Sequence, residues 1–122
     1  MKTIDQSLLD DLCSQAAARE RKRINYNFHE NEDDSVQRMC NALQLGTYVR
    51  PHRHLNPTKP EFFLILQGHS YILLFDDDGT VTNRLELDAN GPVRATEIPP
   101  GAWHTIGALA PNTVLFEVKP GP

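Results

Sequence analysis

Long apolar runs are missing from this 122-residue chain. The two longest, Phe62 to Leu66 and Tyr71 to Phe75, are short core-strand lengths, against the roughly 20 apolar residues a helix needs to cross a bilayer. No membrane partner is expected. Cysteine is scarce: Cys13 and Cys40 lie far apart without CxxC spacing, which reads as two reduced thiols rather than a disulfide framework. A basic excess is also absent. Lys and Arg total 12 against 16 Asp and Glu, a formal charge of −4, which argues against nucleic acid as a partner. No apolar segment follows Lys2, so no secretory signal is expected and the location reads as cytoplasmic. Gly-rich phosphate loops, a GxSxG elbow and a Cys–His signature are all lacking. With 39% hydrophobic and 23% charged residues, the chain still has the makings of an ordinary globular fold. What stands out is histidine: there are five, and two are separated by one residue.

The pattern along the chain begins helical and turns to strands. Leu9, Leu12, Cys13, Ala16 and Ala17 recur at helical spacing, so a helix is expected over about 5–22. Thr3 or Asp5 is positioned to cap it, and the late basic run Arg19 to Arg23 suits the C-terminal end of its dipole. Ile24 to His29 alternates apolar and polar residues as a half-buried strand does. Val36 to Leu43 fits a helical turn or a strand; the strand-like character of the chain beyond it favours strand. From Thr47 onward, short strand-like runs fall at 47–54, 61–67, 70–75, 80–87, 94–98 and 113–119, separated by turn chemistry such as Asp78-Gly79 and Pro99-Pro100-Gly101. Asp76-Asp77-Asp78-Gly79 fails as a calcium loop, because positions one and twelve fall on Leu74 and Leu85, and it reads as a hairpin turn. The expectation is one domain over 1–122: an N-terminal helix and an all-β sandwich or small barrel over about 24–119.

The chemistry concentrates on histidine. On a strand, His52 and His54 face the same side, so both imidazoles can converge on one ion. Glu61 opens the next strand-like run and offers a carboxylate oxygen. His104, after the Pro99-Pro100-Gly101 turn, can close the site. Three imidazoles and one carboxylate make a mixed nitrogen and oxygen site that suits one divalent transition metal: Fe, Mn, Zn, Ni or Cu. His29 and His69 lie outside this set and are read as non-ligands.

These residues resemble a known family. Gly46, five residues, His52-Arg53-His54, six residues, Glu61, six residues, Gly68 is similar to the first cupin motif, and Pro99-Pro100-Gly101-Ala102-Trp103-His104 is similar to the second. The gap before Glu61 is longer than the usual three or four residues, and Ala108 stands where the second motif carries asparagine. The resemblance implies a double-stranded β-helix, or jelly-roll barrel, with His52, His54, Glu61 and His104 as ligands. A narrower resemblance is to the WbuC group of cupin-fold metalloproteins, carried by Asn25 to His29, Gln37 to Met39, Thr47 to His54, Ile98 to His104 and Phe116 to Pro122. That group takes its name from bacterial surface-polysaccharide gene clusters, which implies a sugar-type substrate.

Parity supplies further candidates for substrate binding. A regular strand through His54 turns Tyr48 and Arg50 inward with His52. An inward Arg50 either holds an anionic substrate or pairs with Glu61 or Glu117; alternatively, Pro51 breaks the parity and turns it to solvent. Phe63 and Ile65 share the parity of Glu61 and form an apolar wall, and Arg38 and Trp103 are further candidates. The function expected is a small metalloenzyme, an isomerase, epimerase or oxygenase acting on an anionic small molecule, with no catalytic side chain assigned beyond the ligands. The alternative is a non-catalytic binding or sensing protein whose metal is structural. A homodimer through an outer sheet or the N-terminal segment is compatible with either.

Overall fold

Asp5 fixes where the chain first becomes regular. Its carboxylate accepts the N–H of Leu8 at 2.9 Å, satisfying one of the donors a helix start leaves free. In the computed structural model, which describes residues 1–122, helix α1 runs over Gln6–Ala18. It ends four residues short of the expected 22. Arg19 is already extended, at φ −87° and ψ 146°, and Lys22 turns left-handed at φ 58°. The basic run therefore lies beyond the helix rather than in its last turn. Lys22 still serves that end, its Nζ donating to the carbonyl of Ala17 at 2.8 Å.

Eight strands come after it: β1 Arg23–Asn27, β2 Val36–Leu43, β3 Glu61–Gln67, β4 His69–Phe75, β5 Val81–Asp88, β6 Ala95–Ile98, β7 Trp103–Ala108 and β8 Thr113–Pro120. They form a five-stranded sheet in the order β1-β2-β8-β3-β6 and a three-stranded sheet in the order β5-β4-β7. Every pairing is antiparallel. With its N-terminal helix this is the jelly-roll architecture expected.

Two elements depart from the expected strand list. Residues 47–51 are not a strand; the segment meets the sheets only through an isolated bridge between His52 and His104. Side chains hold it instead. Thr47 Oγ1 donates to the carbonyl of Arg21 at 2.6 Å, Arg23 Nη1 to that of Tyr48 at 2.7 Å, and Thr105 Oγ1 to that of Val49. Conversely, β7 is a strand that the turn-rich reading of 99–104 conceals. Gly107 weakens its strand signal, and the residue is needed there because a Cβ would lie 2.3 Å from the Tyr71 ring.

The core is in two layers. Between the sheets lie Leu43, Phe63, Ile65, Ile72, Leu87, Ile98, Ile106 and Leu115. On the outer face of the larger sheet, Leu9, Leu12, Cys13 and Ala16 of α1 pack on Phe28, Cys40, Ala42 and Val114. Strands β2 and β8 are thus covered on both sides, which is why Val36 to Leu43 does not alternate cleanly. Leu12 is 2% exposed, and truncating such a residue to Ala typically costs ~2–5 kcal/mol. The outer layer also settles the facing of β1. Its apolar Ile24, with Phe28 just beyond, joins the helix layer, leaving Arg23 and Asn25 to the interior side.

Candidate metal centre

The six-residue link Leu55 to Pro60 forms a turn that returns the chain to β3 with Glu61 as its first residue. There Glu61 is 2% exposed and pairs with Ile98 on β6. His104 enters from the second residue of β7 and is equally buried. His52 sits opposite it, and His54 is half-buried beside Glu61. The longer spacing therefore costs nothing in geometry: one ligand atom from each of the four residues lies within 4.8 Å of all the others. Between His52 and His54, Arg53 points the other way, stacking over Trp103 at 4.7 Å and facing Asp77 at 3.6 Å.

Backbone carbonyls set the histidine tautomers. Nδ1 of His52 is 3.0 Å from the carbonyl of Arg50, and Nδ1 of His104 is 2.9 Å from that of Ala102. A carbonyl only accepts, so both Nδ1 atoms carry hydrogen and each neutral ring keeps its lone pair on Nε2. His104 Nε2 then faces Glu61 Oε2 at 3.0 Å, and His54 Nε2 contacts Glu61 Oε1. A lone pair on His104 Nε2 meeting a carboxylate at this range requires a cation between them, either a proton or a metal ion. His54 Nε2, Glu61 Oε1 and His104 Nε2 are buried without a hydrogen-bond partner, as atoms reserved for an ion are.

The electrostatics agree with that demand. Burial pushes the His54 imidazole below its ordinary range, against the pull of Glu61. Burial also raises Glu61, but the close contact with His104 Nε2 and the charges of His104, His54 and Lys119 outweigh it, and the carboxyl ends below the usual value. For His104 burial is outweighed by the adjacent Glu61 carboxylate and the Ala102 carbonyl, so its pKa rises. Ligands bound at ~2.0–2.2 Å stand at most about 4.4 Å apart, and the four atoms here lie within 4.8 Å of one another, close to that spacing. The donor set and the unpartnered atoms fit a first-row divalent ion.

The cluster lines one end of a cavity of about 180 Å³ between the sheets. Of the residues expected to line it, Phe63 does. Tyr48 and Arg50 do not: Tyr48 is 72% exposed and Arg50 faces solvent. Without a strand over 47–51 the parity fails at Pro51, and it is Val49 that faces inward. Arg38 is displaced for a different reason. On β2 the interior side carries Met39, Asn41 and Leu43, so Arg38 falls on the outer face with Cys40, where its backbone N–H donates to His29 Nδ1 at 3.1 Å. Trp103 packs outside, under Arg53. His69 pairs with Glu86 at 2.8 Å on the surface, and neither His29 nor His69 joins the cluster.

A polar wall faces the cluster, made by Arg23, Asn25, Asn41, Glu117 and Lys119; sequence reasoning offered Glu117 only as a partner for Arg50 and assigned none of the others to the cavity. Glu117 is 7% exposed. Burial and the charge of Glu61 raise its pKa, while a 2.8 Å hydrogen bond from Asn41 opposes the rise. The available signal was polarity inside apolar strands, Asn41 between Met39 and Leu43 and Glu117 between Phe116 and Val118.

Two facing antiparallel sheets with this cluster between them define a cupin fold, and comparison with solved structures agrees. The chain superposes on a cupin superfamily protein (DSY2733) from Desulfitobacterium hafniense DCB-2 with a TM-score of 0.64 and 21% identity, over 91% of this chain and 88% of that one. With TT1209 from Thermus thermophilus the TM-score is 0.68 at 21% identity, over 100% of both chains. With KdgF from Halomonas sp. it is 0.59 at 19% identity, over 82% of this chain and 81% of the other. Residues 4–87 match the sequence family described as "Domain of unknown function (DUF6016)", and the chain belongs to that family. No curated protein matches it in sequence. No helix is long and apolar enough to cross a membrane.

Proposed function

We propose that the protein is a small metalloenzyme of the cupin fold, binding one divalent transition metal through His52, His54, Glu61 and His104 and acting on an anionic or sugar-type small molecule. The observation that carries this reading is the convergence of four ligand atoms, three of them buried without hydrogen-bond partners, in an open cavity between the sheets. These four residues would hold the ion and leave coordination positions for a ligand, and the metal would supply Lewis-acid polarisation or, as Fe(II), oxygen chemistry.

The chain's own residues do the rest. The Arg50 and Ala102 carbonyls orient the His52 and His104 rings. Val49, Phe63 and Ile106 make the cavity's apolar walls and limit water. Lys119 and Arg23 are the cations placed to hold an anionic group, the role that sequence parity assigns to Arg50. The motif resemblance to the WbuC group favours a place in surface-polysaccharide metabolism and a sugar-derived substrate; that link is by analogy.

Purification under anaerobic conditions followed by elemental analysis tests the metal. Oxygen-uptake and sugar isomerase or epimerase assays on the loaded protein then test turnover. A protein that refuses every divalent metal overturns the reading. One that holds metal and ligand without turnover supports a sensing or binding role instead.

A further inference from the structure

Across the cavity from the histidine cluster, Asn41 on β2 and Glu117 on β8 are diagonal neighbours: Asn41 is registered with Leu115, and Glu117 with Met39. Asn41 Nδ2 donates to Glu117 Oε1 at 2.8 Å. Against an ionised Glu117 this bond fixes the amide, since the flipped orientation sets a carbonyl oxygen against a carboxylate. Its consequence is that Asn41 Oδ1 is left buried with no partner, on a residue only 5% exposed that lines the cavity. Buried amide oxygens are nearly always satisfied, so this one awaits a donor from whatever fills the cavity.

Glu117 also keeps acceptor capacity. Its Oε2 is 3.8 Å from Lys119 Nζ, an ion-pair distance rather than a hydrogen bond. One wall thus presents two acceptors side by side, with the Lys119 and Arg23 cations also lining the cavity. Acceptors of this kind ask for hydroxyl groups, and the cations ask for a carboxylate or phosphate. The cavity, at about 180 Å³, is smaller than the roughly 300–1,000 Å³ of drug-sized ligand sites. A monomeric ligand fits that volume, and a nucleotide-linked one would extend out of the open cavity.

We propose that Asn41 and Glu117 form a hydroxyl-recognising subsite, and that the ligand is a small hydroxy acid whose hydroxyls donate to Asn41 Oδ1 and Glu117 while Lys119 and Arg23 hold its anionic group. The proposal rests on reading the cavity as a ligand site and deepens that reading by naming the ligand class. It assigns Asn41 and Glu117 to binding and specificity. A site with unpaired acceptors rejects analogues that lack the matching donor far more strongly than an apolar wall rejects a surplus group.

Calorimetric titration with three six-carbon probes tests it: glucuronate with hydroxyls and a carboxylate, glucose with hydroxyls only, and adipate with carboxylates only. Glucuronate is expected to bind at least about tenfold more tightly than either of the others. Asn41→Leu, which removes the acceptor at similar volume, is expected to weaken glucuronate by about tenfold and to leave adipate unchanged. Glu117→Gln, which keeps the shape, is expected to weaken glucuronate as well. Adipate binding as tightly as glucuronate, no binding of any probe, or an Asn41→Leu protein that folds and binds glucuronate normally each overturns the proposal. The three-probe contrast on the unaltered protein decides the matter if either variant fails to fold. Each titration is run on metal-loaded and chelator-treated protein. A wild type that takes up no metal defeats the metalloenzyme reading alone, because the contrast among probes on that protein still judges the subsite.

Discussion

His52 and His104 lie 52 positions apart in sequence and are bonded to each other twice. The His52 N–H donates to the His104 carbonyl at 3.0 Å, and the His104 N–H donates back to the His52 carbonyl at 2.9 Å. This reciprocal antiparallel pair sets both side chains on one face, with ring centroids 4.3 Å apart. The backbone therefore preorganises two of the four proposed ligands before any ion arrives.

The first prediction concerns those ligands. His52→Ala, Glu61→Gln and His104→Ala are each expected to weaken metal binding by more than the roughly 10–100-fold typical of changes behind the ligand shell. His69→Ala, which disturbs only a surface pair with Glu86, is expected to keep full metal content. Elemental analysis after dialysis against a weak chelator is the measurement. Full metal retention by His104→Ala sinks the assignment.

The second prediction concerns what holds the His52 segment in place. Thr105 is 7% exposed, and its hydroxyl donates to the carbonyl of Val49. Thr105→Val keeps the shape and removes that donor, leaving a carbonyl short of a partner. The expected loss is about 1–2 kcal/mol of stability in urea titration. Because the same bond anchors the strandless stretch leading into His52, metal affinity should fall up to about tenfold as well. Loss of stability with unchanged affinity denies Thr105 its positioning role.

Much of this architecture is legible in the sequence, and the failures have physical causes. Strands β3, β4, β5, β6 and β8 announce themselves by apolar or alternating runs between turn residues, and their ends fall within a residue of the expected ones. The four clustered residues are visible because their types and spacing resemble the two motifs. Tyr48 and Arg50 mislead because parity holds only on a continuous strand, and Pro51 interrupts this one. Arg38 misleads because β2 is covered on both faces: Cys40 and Ala42 meet α1 while Met39, Asn41 and Leu43 meet the cavity. Nothing local in the sequence says which side is which. The pairing of Asn41 with Glu117 escapes notice for a related reason, since their meeting depends on a β2–β8 register spanning 76 residues.

The third prediction separates the two glycines that bound the first motif. Both are left-handed, Gly46 at φ +88° and Gly68 at φ +85°. A Cβ on Gly46 meets nothing within 4 Å, whereas one on Gly68 comes to 2.8 Å from Thr113 Cα and 2.5 Å from its Oγ1. Gly46→Ala therefore carries only conformational strain, about 1–2 kcal/mol. Gly68→Ala adds a clash with backbone, for which overpacking costs ~1–3 kcal/mol more. Urea midpoints of the two variants measure the difference. Equal losses mean that the Gly68–Thr113 approach has no energetic weight.

The last prediction is a pH dependence in the layer under α1, outside the histidine cluster. Cys40 is fully buried under α1, and burial pushes its thiol from 9.0 up to about 11. Below the unfolded value both states hold the proton and the group leaves stability untouched. As pH rises past about 9 the unfolded chain gives up the proton and the folded one does not, so unfolding gains free energy until pH passes about 11. A separation of two units corresponds to about 3 kcal/mol. Stability measured in urea should therefore fall more steeply from pH 9 to 11 in the wild type than in Cys40→Ala, whatever the variant's starting stability. The same burial keeps the thiolate scarce and shielded, so iodoacetamide at pH 8 should label Cys40 only after denaturation. Parallel pH profiles in the two proteins, or labelling of the folded chain, would mean that the layer between α1 and β2 opens readily to solvent.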